Sequence, residues 1–81
     1  MVNVIFTEEF RDFFSKIKDN SLKEKLMKQI NKIKTNPEVG KPMKYNRKGT
    51  REVYVSPFRL SYLYVNPELV YILGLYHKDE Q

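Results

Sequence analysis

Two one-sided helical stripes, followed by three runs that alternate in period two, leave this chain few ways to fold. Phe10, Phe13, Phe14 and Ile17 recur at i, i+3, i+4 and i+7, the spacing that brings side chains to one face of a helix. Leu22, Leu26, Ile30 and Ile33 mark a second helix of the same kind. From residue 51 the period changes. "REVYV", "FRLSYLYV" and "LVYILGLYH" read as strands joined by Ser-Pro and Asn-Pro-Glu turns, and "VNVIF" at the start reads as another. The order β-α-α-β-β-β predicts an α+β domain, with two antiparallel helices packed on one face of a small, mainly antiparallel sheet. Two stripes cover one sheet face only. The other face is expected to stay open to water.

Local signals set the boundaries. Thr7 is placed to cap the first helix, and "DNS" interrupts the pattern before the second. Ser21 and Glu24 have capping-box spacing, and "TNPEVG" stops the second helix at Pro37 and Gly40. Segment 41–50, "KPMKYNRKGT", reads as a basic loop containing Tyr45. The 81 residues form one expected domain, 1–81, with a small core and little stability to spare. No cysteine and one histidine exclude thiolate and imidazole metal clusters, so neither a metal nor another cofactor is expected. With no signal-like N-terminus and no apolar run of spanning length, a cytoplasmic domain without membrane attachment is expected.

The charge is unevenly placed. Net +5 overall, the chain carries six basic residues against Glu52 alone between 41 and 60. Two of them, Arg51 and Arg59, fall in the expected sheet, where a cation is costly unless paired. Alternation puts Arg59, Ser61, Leu63 and Val65 on one face. If Val65 pairs with Leu69, Arg59 lies opposite Leu75 and diagonal to His77. A turn one residue longer brings Tyr76 and Lys78 to its side instead, because a one-residue slip exchanges faces. Glu52 is placed to neutralise either arginine across the hairpin.

These residues resemble the RelE/ParE superfamily of toxins from toxin–antitoxin pairs. The matching features are Pro42 before a basic loop, Gly49-x-x-Glu52, Phe58-Arg59-Leu60-Ser61-Tyr62, and a last strand ending in His77-Lys78. "VIFTEEFRDFFSKI" resembles the family's opening strand and first helix, so the likeness spans nearly the whole chain.

The resemblance implies a RelE-like mRNA interferase: a ribosome-dependent, metal-independent endonuclease in which the RNA's 2′-OH attacks the adjacent phosphate. Such chemistry needs a base, an acid and a cation to hold the charge gathering on phosphorus. Arg59 matches the family's arginine, and a guanidinium fork suits phosphate. Lys78 falls near the family's second cation. His77 stands where several relatives carry a histidine, a residue type able to move protons near neutral pH. Glu52 and Tyr54 stand where well-known members have basic residues, and the carboxylate of Glu52 is a candidate base. Many relatives carry a tyrosine just beyond the last strand; the sequence reaches Gln81 without one, and Tyr54 or Tyr76 are candidates to stack in its place. Lys41, Lys44, Arg47, Lys48 and Arg51 are expected to dock RNA backbone. The partners implied are mRNA on the ribosome and a cognate acidic antitoxin of RelB type. A ParE-like toxin that inhibits a DNA topoisomerase without cutting, or an inactive binding module, are the alternatives.

Overall fold

A computed structural model describes residues 2–44 and 47–77 of the chain; Tyr45 and Lys78 lie outside them. The elements are β1 (Asn3–Phe6), α1 (Glu8–Ser15), α2 (Asn20–Thr35), β2 (Lys41–Pro42), β3 (Thr50–Val55), β4 (Phe58–Asn66) and β5 (Leu69–His77). They form a five-stranded sheet in the order β1-β5-β4-β3-β2. Only β1 runs parallel to its neighbour, β5. The expected two-layer α+β arrangement is observed. Segment 41–50 differs from the expected loop, since Lys41 and Pro42 add a short edge strand to β3. Two residues are too few to show alternation, and an edge is where a strand tolerates proline's missing donor.

Thr7 caps α1 as expected, accepting from the Phe10 amide at 3.3 Å. The cap of α2 is Asp19, not Ser21: its carboxylate accepts from the Ser21 and Leu22 amides at 2.9 and 3.4 Å. A full negative charge on the positive end of the helix outcompetes a hydroxyl two residues later.

Both helices press on the face that carries Val53, Val55, Leu60, Tyr62, Val70 and Ile72. From the helices come Phe10, Leu26, Ile30 and Ile33, all buried. Each such aliphatic side chain contributes about 1.5–3 kcal/mol by leaving water. Replacing a fully buried one such as Leu60 by alanine would cost about 2–5 kcal/mol. The opposite face has no helix over it, and Ile5 and Tyr54 are exposed there. No helix among the described residues is long and apolar enough to cross a membrane.

Two bulges set the register of β4 on β5. Asn66 pairs with Leu69, Tyr64 with Val70, and Ser61 with Gly74, so the ladder skips Val65 on one strand and Leu73 on the other. The offsets cancel, and Arg59 comes opposite Tyr76 rather than Leu75. Thr7 fastens the second bulge: its hydroxyl reaches the Ile72 and Leu73 carbonyls, each at 2.9 Å. Gly49 makes the entry to β3, with φ +94°, a conformation L side chains rarely adopt, and an added Cβ would lie 2.8 Å from the Tyr64 carbonyl oxygen.

Candidate functional site

The register builds a cluster on the uncovered face. Tyr54 pairs with Arg59 and Arg59 with Tyr76, while Glu52 lies two residues along β3 from that row. Side-chain alternation turns all four the same way. The Glu52 carboxylate accepts from both neighbours, from Arg59 Nη1 on one oxygen and from the Tyr76 hydroxyl on the other. Its side chain is only 11% exposed, whereas that of Arg59 is 34% exposed. The Nε of Arg59 is buried with no hydrogen-bond partner among the described residues. A carboxylate able to take a proton, a guanidinium fork and a phenol thus meet at one point. Among the described residues no group of three or more His, Cys, Asp or Glu side chains is placed to hold a metal ion.

His77 is not brought to Arg59. It pairs with Phe58, and the two rings meet edge-on at 5.8 Å. Phe58 in turn meets Phe13 of α1 edge-on at 6.3 Å, which places His77 on the helix side of the sheet. The compensating bulge at Leu73 is the physical cause: without it, odd-numbered residues at the end of β5 would share Arg59's face. Lys78, the expected second cation, lies outside the described residues.

Arg51 also faces the helix side, because its partner across the strands is the buried Tyr62. Its Nη1 donates to the carbonyls of Glu38 at 3.0 Å and Gly40 at 2.7 Å. The Tyr62 hydroxyl completes this latch, accepting from the Gly40 amide at 2.8 Å and donating to the Pro37 carbonyl at 2.7 Å. Burial pushes the Tyr62 phenol above its ordinary value of 10.0; the Gly40 amide and the Arg51 charge pull the other way, and Glu38 adds a smaller upward push. An added Cβ on Gly40 would sit 2.6 Å from that hydroxyl, so only glycine allows the approach.

The rest of the expected RNA dock surrounds the cluster unevenly. Lys41 on the edge strand pairs with Glu52 and flanks the cluster directly. Lys44, Arg47 and Lys48 are exposed on the connection between β2 and β3. Tyr54 is 55% exposed beside Arg59. Sequence reasoning missed two features: the Tyr76 hydroxyl as a partner of Glu52, and the latch of Arg51, Tyr62 and Gly40. For the first, the alternative register was the available signal. For the second, neither periodicity nor motif spacing carries one.

The family model described as the ParE toxin of the type II toxin–antitoxin system parDE matches residues 4–81. No curated protein matches the chain in sequence. Among solved structures, the isolated E. coli RelE toxin superposes with a TM-score of 0.82 at 14% identity, over 100% of this chain and 88% of that one. The E. coli RelBE toxin–antitoxin complex gives 0.81 at 17%, with both chains fully covered. E. coli YafQ gives 0.72 at 16%, over 98% of this chain and 96% of that one. At such identities the likeness speaks for the fold, and the family match supplies the membership. The chain belongs to the ParE toxin family of type II toxin–antitoxin systems, within the RelE/ParE superfamily.

Proposed function

We propose that this toxin is a ribosome-dependent mRNA endonuclease, acting in the cytoplasm by metal-independent attack of the substrate's 2′-OH on the adjacent phosphate. The observation that carries the reading is the Glu52 carboxylate held between Arg59 and Tyr76 on the uncovered sheet face. In the proposed reaction the 2′-oxygen bonds to phosphorus as its proton passes to Glu52. The phosphorus–O5′ bond breaks, and O5′ leaves with a proton from the Tyr76 hydroxyl, giving a cyclic phosphate and a 5′-OH end. The Arg59 guanidinium holds the non-bridging oxygens as charge accumulates on them. A phosphate oxygen at the guanidinium also offers an acceptor to the orphaned Nε, whose isolation otherwise costs about 1–3 kcal/mol. Lys78 is proposed as a further cation. His77, beside Phe58, receives no proton step.

A cognate acidic antitoxin of RelB type is the proposed partner. Two of the structural relatives are toxin–antitoxin complexes, RelBE and DinJ–YafQ, and an acidic segment suits the +5 charge of this chain.

The matched family's own description favours a second reading, a ParE-like toxin that inhibits a DNA topoisomerase without cutting. Translation on purified ribosomes, with mapping of mRNA ends, separates the two. Cuts bearing 5′-OH ends that require ribosomes and vanish with Arg59→Gln are expected. Intact mRNA together with inhibited supercoiling by the topoisomerase would transfer the assignment to the second reading.

A further inference from the structure

A second cationic site lies on the other side of the sheet from Arg59. A concavity of about 470 Å³ is bounded by Met43, Lys44, Lys48, Gly49, Arg51 and Tyr64, and among the described residues no carboxylate lines it. Its size falls in the range of small-ligand pockets. Arg51 is its fixed point. Both of its bonds to the latch leave from Nη1, so neither Nε nor Nη2 is spent on the Glu38 and Gly40 carbonyls. The guanidinium also lies over the Tyr64 ring, 5.8 Å from the centroid. A cation already held in place loses little freedom on meeting an anion. Lys44 and Lys48 bring two mobile charges to the same rim, and Met43 and Tyr64 supply apolar surface for a ring.

We propose that this cup is a second RNA subsite, which takes one nucleotide of a single strand: phosphate on Arg51, Lys44 and Lys48, base against Tyr64 and Met43. The inference rests on the RNA reading of this protein. Cations beside an aromatic wall are the combination that holds single strands without reading their sequence. An acidic peptide would use the charges but leave the ring surface idle, which is why nucleic acid is the occupant favoured here. The strand bound here is distinct from the phosphate at Arg59, because Arg51 and Tyr64 share the helix-side face while Arg59 and Glu52 share the other.

The test uses the full chain, ¹⁵N-labelled, titrated with a 2′-O-methyl uridine hexamer that cannot be cut. Shifts of the Gly49 and Tyr64 amides are expected, and Arg59→Gln should leave them in place. Lys44→Gln with Lys48→Gln should reduce the slope of log affinity against log salt by about 1.4, two phosphate contacts' worth for a single strand. These lysines are exposed, so the double variant keeps the fold. Shifts confined to the Arg59 face, or an unchanged salt slope, would overturn the subsite even if the protein cleaves mRNA. Shifts at Gly49 and Tyr64 in a protein that does not cleave would uphold the subsite and remove only the endonuclease. A glutamate-rich peptide that moves these amides when the hexamer does not would overturn the nucleotide assignment.

Discussion

Two arginines on neighbouring strands face opposite ways and meet opposite fates. Arg51 turns toward the helices, and its Nη1 is consumed by two backbone carbonyls of the turn that follows α2. Arg59 turns to the uncovered face and is held by one carboxylate, itself shared with a tyrosine. Carbonyls locked in a turn cannot leave, so Arg51 braces the fold. A carboxylate on a side chain can rotate or take a proton, so the Arg59 pair can exchange one anion for another. The difference shows how a cation in a small sheet is fixed in place or left able to exchange its anion according to the mobility of its partner.

The comparison breaks most sharply at Glu52. Glu52→Gln keeps the size but replaces one of the two accepting oxygens by an NH2 donor and removes the charge and the basic oxygen, and should slow single-turnover mRNA cleavage by about 10²–10⁴-fold. Thermal unfolding of the same variant should show a retained fold. Cleavage at the parental rate would take the proton step away from Glu52. On the other face, Tyr62→Phe strands the Gly40 amide and the Pro37 carbonyl, and should cost about 1–3 kcal/mol in urea unfolding with cleavage per folded molecule preserved.

Tyr62 also predicts a pH dependence. Its phenol is raised in the folded protein, so folding favours the neutral form. The stability it contributes is complete below the unfolded value near 10 and is lost as pH rises through the higher folded value. The difference in stability between wild type and Tyr62→Phe should therefore be flat from neutrality to about pH 9 and shrink above 10. A difference independent of pH would mean that the hydroxyl ionises freely. The smallest effect belongs to His77: His77→Ala should alter cleavage less than about tenfold, with its pH profile unchanged, because its ring packs on Phe58. Loss of an acid or alkaline limb in that profile would return His77 to the chemistry.

Much of the fold was legible, because a stripe such as Leu22, Leu26, Ile30 and Ile33 survives averaging over its neighbours. The cap at Asp19 and the edge strand at Lys41–Pro42 were not, since each depends on one or two residues that several local patterns fit. Arg59 and Glu52 stand out in the sequence as candidates, but their neighbour across the sheet depends on two bulges that cancel. Periodicity cannot reveal a skipped residue. Thr7 illustrates why: it reads as a helix cap, yet the same hydroxyl fastens the bulge at Leu73, some 66 positions away. Charge alone groups Arg51 with the RNA dock; the carbonyls that hold its Nη1 come from a turn whose position only the folded chain defines.

The most direct test sets the two arginines side by side in one assay. Arg51→Gln and Arg59→Gln are compared by single-turnover cleavage of ribosome-bound mRNA, with rates normalised to the folded fraction of each variant. A loss of about 10²–10³-fold is expected for Arg59→Gln, the usual cost of one electrostatic stabiliser, and less than about tenfold for Arg51→Gln despite its lower stability. Equal losses in two folded variants, or a parental rate for Arg59→Gln, would contradict the division of labour between the two faces.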